Sequence, residues 1–166
     1  VICNVFGQQM PNFKTVLPSA TDSEINTFDT NHGVYFNPSV QSKNKLVVFI
    51  PGTNGNGMGA KLFSQVAANE GFHVVSLSYP SSIAATICHA QNDENCFENF
   101  RREIIEGKDL SPLIEVNRAN SIENRLQKLL VYLSKNFVSE NWGQYLTEKD
   151  EINWEKLILS GQSQGG

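Results

Sequence analysis

Leu157-Ile158-Leu159-Ser160-Gly161-Gln162-Ser163-Gln164-Gly165-Gly166 runs from three apolar residues straight into a serine with a glycine two residues away on either side. The apolar residues read as a buried strand, and the glycines as a sharp turn into a helix that begins at Gly165-Gly166. A serine at the tip of such a turn is forced into a strained backbone conformation, which lifts its Oγ clear of the sheet. Side chains two residues before and after it would collide across the bend, the physical reason for Gly161 and Gly165. Ser163 is therefore the candidate nucleophile, and Ser160, at the strand end, a structural residue. With 12 glycines in 166 residues the five-residue pattern says little alone. A plain Gly-Ser loop from strand to helix is the competing reading, and the surrounding chain has to decide.

Upstream, Leu46-Val47-Val48-Phe49-Ile50 is an unbroken apolar run of the kind found in strands buried on both faces. It stops at Pro51-Gly52, and a glycine-rich turn follows through Gly59. Leu62, Phe63, Val66 and Ala67 recur at helical spacing, with Gly71 as the stop. His73 through Leu77 reads as a second buried strand, closed by Tyr79-Pro80. The segment 81–120 is too long for a simple connection and reads as an insertion that covers or shapes a site, with a helix around 94–105. A regular helix is predicted from about Ser121 to Phe137, with Ile122, Leu126, Leu129, Leu130, Leu133 and Phe137 as its apolar stripe. Val34-Tyr35-Phe36 reads as a short strand after a turn at Asn31-His32-Gly33, and residues 1–32 as polar and irregular. Strands alternating with helices predict an α/β chain with a mostly parallel sheet and helices on both faces.

The stretch from Ile152 through Gly166 resembles the nucleophile region of the α/β-hydrolase superfamily, and Phe49-Ile50-Pro51-Gly52-Thr53 resembles its oxyanion-loop strand. The resemblance covers about 35–166 and is closest to esterase- or lipase-like members. It implies one domain portion over residues 1–166, a partial hydrolase fold truncated after the nucleophile strand. It also implies ester or related acyl hydrolysis through an acyl-enzyme on Ser163, with a small-molecule acyl substrate and no cofactor or metal. Two backbone amides must receive the oxygen that becomes negative during acyl transfer. The resemblance assigns one to Gln164, the residue after the serine, and the other to Thr53, with Asn54 as second choice. Many members have histidine where this chain has Pro51, a departure that bears on the second donor.

The same glycine-rich loop supports a rival reading, nucleotide binding. Gly52 through Lys61 follows a strand and opens a helix, as phosphate-binding loops do. A P-loop needs Gly-Lys-Ser/Thr, whereas Gly57 is followed by Met58 and Gly59. Gly55, Gly57 and Ala60 match the relaxed dinucleotide fingerprint, but Ser78-Tyr79-Pro80 stands where its carboxylate belongs.

A nucleophilic serine needs a base and an orienting carboxylate, which the resemblance puts after the serine in chain order. His32, His73 and His89 all precede Ser163 and read as structural, as do Asp22, Asp29, Asp93 and Asp109. The chain begins at Val1 and stops inside the turn, so both ends read as cut. The expectation is that the acid and histidine lie beyond residue 166 and that residues 1–166 alone are inactive. A non-catalytic binding domain that kept the turn and lost the rest is the alternative.

Composition narrows the partners. A net charge of −4 and a pI near 5.4, without clustered Lys and Arg, exclude a nucleic-acid surface. Arg101-Arg102, beside Glu98 and Glu103, reads as a solvated helix face. No apolar run approaches the length of a membrane span, and no targeting peptide is visible. Oligomeric state is not readable. Cys88 and Cys96 bracket a polar loop; a disulfide there would point to an oxidising compartment outside the cell or in the periplasm. Two unrelated thiols are the other reading, and a Cys-His-Cys zinc site through His89 lacks a fourth ligand.

Overall fold

A strand with no polar face is satisfied only where a sheet is covered on both sides, and Leu46–Ile50 (β3) occupies such a place. In the computed structural model, which describes residues 10–166, β3 pairs in parallel with His73–Ser76 (β4) on one side and Leu157–Gly161 (β5) on the other. His32–Phe36 (β2) runs antiparallel to β4, and Asn12–Val16 (β1) antiparallel to β2, giving the order β1-β2-β4-β3-β5. Cys3 lies outside the described residues.

The sheet is thus mixed, which corrects the mostly parallel sheet expected from the sequence: two of its four pairings are antiparallel. The reason lies in residues 12–36. The link from β1 to β2 contains only a four-residue helix, Pro18–Thr21 (α1), and no helical crossover of the kind that returns a chain parallel to itself. The sequence hides β1 because Asn12-Phe13-Lys14-Thr15-Val16 buries Val16 alone, the profile of an edge strand.

Helices cover both faces. On one, Lys61–Asn69 (α2) lays Ala68 against Tyr35, Val47 and Val74. On the other, Cys96–Glu106 (α3) and Ile122–Asn136 (α4) bury Phe100, Ile104, Leu126, Leu129, Leu130 and Leu133 with Val34, Leu46, Val48 and Val75. Ser121 caps α4, its hydroxyl accepting the Asn124 N–H. The apolar stripe read for α4 faces the core; that of α2 does so only through Ala67. Small residues, Ser64 and Ala68, bring α2 close to the sheet, and Leu62, Phe63 and Val66 stay exposed.

Two buried charges organise the connections. Arg125 donates to the carbonyls of Thr27 (2.5 Å), Phe28 (3.2 Å), Ser78 (3.2 Å) and Asn120 (2.9 Å), and burial pulls its pKa down to about 10. The Glu103 carboxylate accepts the N–H groups of Leu110 (3.0 Å), Ser111 (2.8 Å) and Val116 (3.0 Å), which folds the end of the 81–120 segment onto α3. Cys88 and Cys96 are joined in a buried disulfide, not held as separate thiols or a zinc site. No helix among the described residues is long and apolar enough to cross a membrane.

Candidate functional site

Ser163 sits at the exit of β5 in a single 3-10 turn, Ser163–Gly165, with φ at +55°. An L residue in that left-handed region carries strain, which persists only where its surroundings enforce it. Here they do. A Cβ on Gly161 would run into the Gly165 carbonyl, and one on Gly165 into the Ile50 carbonyl. The bend is closed by Gly165 N–H to Gln162 O (2.9 Å), and docked on β3 by Gln162 N–H to Ile50 O (3.2 Å). The Ser163 side chain is exposed and rests on Gly52, where an added Cβ would lie 3.0 Å from Ser163 Cβ and 3.6 Å from Oγ.

The loop after β3 comes to the same place. Thr53 meets Gln164, its Oγ1–H donating to Gln164 Oε1 at 3.1 Å. Among the described residues neither the Thr53 N–H nor the Gln164 N–H has an acceptor. The second-choice donor is spent: Asn54 N–H donates to Ser81 O at 2.9 Å. Gly57 is claimed by packing, because a Cβ there would meet the carbonyls of Ser76 at 2.5 Å and Asn31 at 2.7 Å. Its N–H donates to Ser78 Oγ (2.8 Å), so this glycine of the dinucleotide-like pattern is part of a structural seam.

What fixes the loop is the chain after β4. Tyr79 Oη donates to Pro51 O at 2.7 Å, and burial raises its pKa to about 12; Ser81 Oγ donates to Gly55 O at 3.0 Å. The 81–120 segment also holds the serine turn. Gln164 Oε1 accepts the Ala85 N–H (2.8 Å), its Nε2 donates to Ile83 O (3.1 Å), and the Arg101 guanidinium donates to Gln164 O (2.8 Å) and Gly166 O (3.0 Å). Arg102 lies on a solvated face of α3 as read, paired with Glu98 and with Glu106, but Arg101 does not, and Glu103, read on that same face, is buried. The signal was helical phase: Phe97, Phe100, Arg101, Ile104 and Ile105 share one stripe, and an arginine on an apolar stripe has a carbonyl or carboxylate to reach.

None of the three histidines serves Ser163. His32 Nδ1 accepts the Ser78 N–H, His73 lies between Tyr145 Oη and the Glu140 carbonyl (2.8 Å each), and His89 packs on the Phe97 ring. No cluster of three or more potential metal ligands occurs among the described residues. A cavity of about 340 Å³ lies beneath the turn on the α3–α4 side, lined by Ile50, Tyr79, Arg101, Ile104, Ile122 and Leu159 among others. Ser163 is not part of its wall, although Ser160, Gly161, Gln164 and Gly165 are.

No protein-family model matches this chain, and no curated protein matches it either. Together with the mixed sheet, this corrects the α/β-hydrolase superfamily assignment drawn from the sequence. The described residues form an α/β fold around a five-stranded mixed sheet.

Proposed function

We propose that this chain carries the nucleophile and the oxyanion donors of a serine hydrolase acting on an ester or related acyl substrate. The observation that carries the reading is Ser163 at φ +55°, its exposed Oγ resting on Gly52 beside the unpartnered Thr53 and Gln164 amides. In the reaction, Oγ bonds to the acyl carbon and its proton passes to a base. The carbonyl oxygen, now negative, lies between the two amides, and losing one such donor costs about 2.7–4 kcal/mol of barrier. The alcohol then leaves with a proton, and water releases the acid from the acyl-enzyme.

None of the three histidines is engaged with Ser163, and this reading takes its base from elsewhere in the full-length protein. That arrangement also favours the alternative, a non-catalytic domain that retains the turn. A fluorophosphonate probe applied to the full-length protein separates them: labelling that Ser163→Ala abolishes supports the hydrolase, and an unlabelled Ser163 supports the binding domain. The chain 1–166 alone is expected to turn over no nitrophenyl ester. The Cys88–Cys96 disulfide supports an oxidising compartment.

A further inference from the structure

The Gln164 side chain does more than fill space. Its amide group makes three hydrogen bonds to two other segments: Oε1 accepts from Thr53 Oγ1 and from the Ala85 N–H, and Nε2 donates to the Ile83 carbonyl. Each partner sits next to something the chemistry needs. Thr53 supplies one unpartnered amide, the Gln164 backbone supplies the other, and the 81–85 strip holds the loop through Asn54 N–H to Ser81 O and Ser81 Oγ to Gly55 O. Among the described residues the Gln164 side chain joins all three.

Resting on the hydrolase reading above, we propose that the Gln164 side chain is a positioning residue that sets the spacing of the two oxyanion amides. The loop after β3 and the turn after β5 are both short of regular structure, and Thr53 itself has no hydrogen bond besides this one among the described residues. The Gln164 carboxamide fixes both at once. It also gives the 81–120 segment a role: it is the far anchor of the clamp, and the Cys88–Cys96 disulfide and the reach of Arg101 to the Gln164 carbonyl hold that anchor to α3. A displacement near 1 Å costs roughly 100-fold in an aligned reaction, so the loss of such a clamp is readable in rate.

The test uses the full-length protein and a nitrophenyl ester, with kcat and KM measured separately. Gln164→Ala is expected to lower kcat roughly 10- to 100-fold with KM within about twofold, since the amides act on the transition state more than on bound ester. Thr53→Val is expected to fall in the same direction, and Thr53→Ser to recover most of that loss because its hydroxyl donates to the same oxygen. The double variant Gln164→Ala, Thr53→Val is expected to be no slower than Gln164→Ala alone. Hydrogen exchange at the Ala85 amide, whose acceptor Gln164→Ala removes, is expected to accelerate, a readout that needs no activity. Unchanged kcat in Gln164→Ala, or equal losses in Thr53→Ser and Thr53→Val, overturns the proposal. Turnover that persists in Ser163→Ala removes the hydrolase reading instead; Ala85 exchange then decides the clamp, and unaltered exchange overturns it.

Discussion

His32 Nδ1 accepts the backbone N–H of Ser78 at 2.9 Å, a bond that holds the imidazole neutral inside the protein. Burial, with the positive charge of Arg125 nearby, lowers its pKa from 6.5 to about 3. Below pH 6.5 the unfolded chain therefore binds a proton that the native state refuses. The stability is fully present above about pH 6.5 and is lost as pH falls toward 3, at about 1.4 kcal/mol per pH unit. His73, also lowered by burial, acts with the same sign. Urea unfolding at pH 5 is expected to give a free energy lower by about 2 kcal/mol than at pH 7 from His32 alone. His32→Gln, which keeps an acceptor for the Ser78 N–H, is expected to flatten this dependence. An unflattened slope would show that His32 is not the titrating group.

The strain at Ser163 predicts a stability effect opposite to its proposed use. The left-handed region costs an L residue about 1–2 kcal/mol and glycine almost nothing. Ser163→Gly is therefore expected to be about 1 kcal/mol more stable than Ser163→Ala, both being unreactive toward a fluorophosphonate. Denaturant titration of the two variants side by side checks this. Ala as the more stable of the pair would mean that the turn does not hold φ at +55° in solution.

These contrasts also show what the residue order could reveal. Strands β3, β4 and β5 were readable from their apolar residues, although β5, read as buried, is a partly exposed edge strand, and α4 was readable because its stripe repeats through four turns with Ser121 to cap it. Strand β1 was not, since an edge strand with one buried residue has no pattern to detect. The direction of β2 was not either, because a run of five residues has the same pattern in a parallel or an antiparallel pair. At the site, Ser163, Gly161 and Gly165 were legible from local sterics. Gln164's side chain and Arg101 were not, since they matter through partners 63 to 111 positions away in sequence.

Cys88 and Cys96 close a loop with a sequence separation of 8. Loop-closure entropy puts the contribution of such a bridge at about 2–3 kcal/mol. Intact mass under denaturing conditions is expected to rise by about two hydrogens on reduction, and Cys88→Ala, Cys96→Ala to lower the unfolding free energy by that amount. Accelerated exchange at Ala85 in the double variant would further show that the bridge steadies the strip held by Gln164. A mass unchanged by reductant would exclude the disulfide.

The open side of β5 sets the solution behaviour of residues 1–166. Its only sheet partner among the described residues is β3, so one edge has free backbone N–H and C=O groups. Ile158 and Leu159 point to opposite faces, and they are 42% and 60% exposed respectively. Phe63 and Val66 add exposed apolar area on α2. An unpaired apolar strand edge is a template for pairing with another chain. The isolated 1–166 chain is therefore expected to self-associate as concentration rises, seen by sedimentation velocity or light scattering. Leu159→Lys is expected to suppress association while changing the unfolding free energy by only about 0.5 kcal/mol, because the side chain it replaces is already 60% exposed. Ile158→Lys is expected to act the same way from the other face. Association that survives both substitutions would place the contact elsewhere, with the Leu62, Phe63 and Val66 face of α2 the next surface to test.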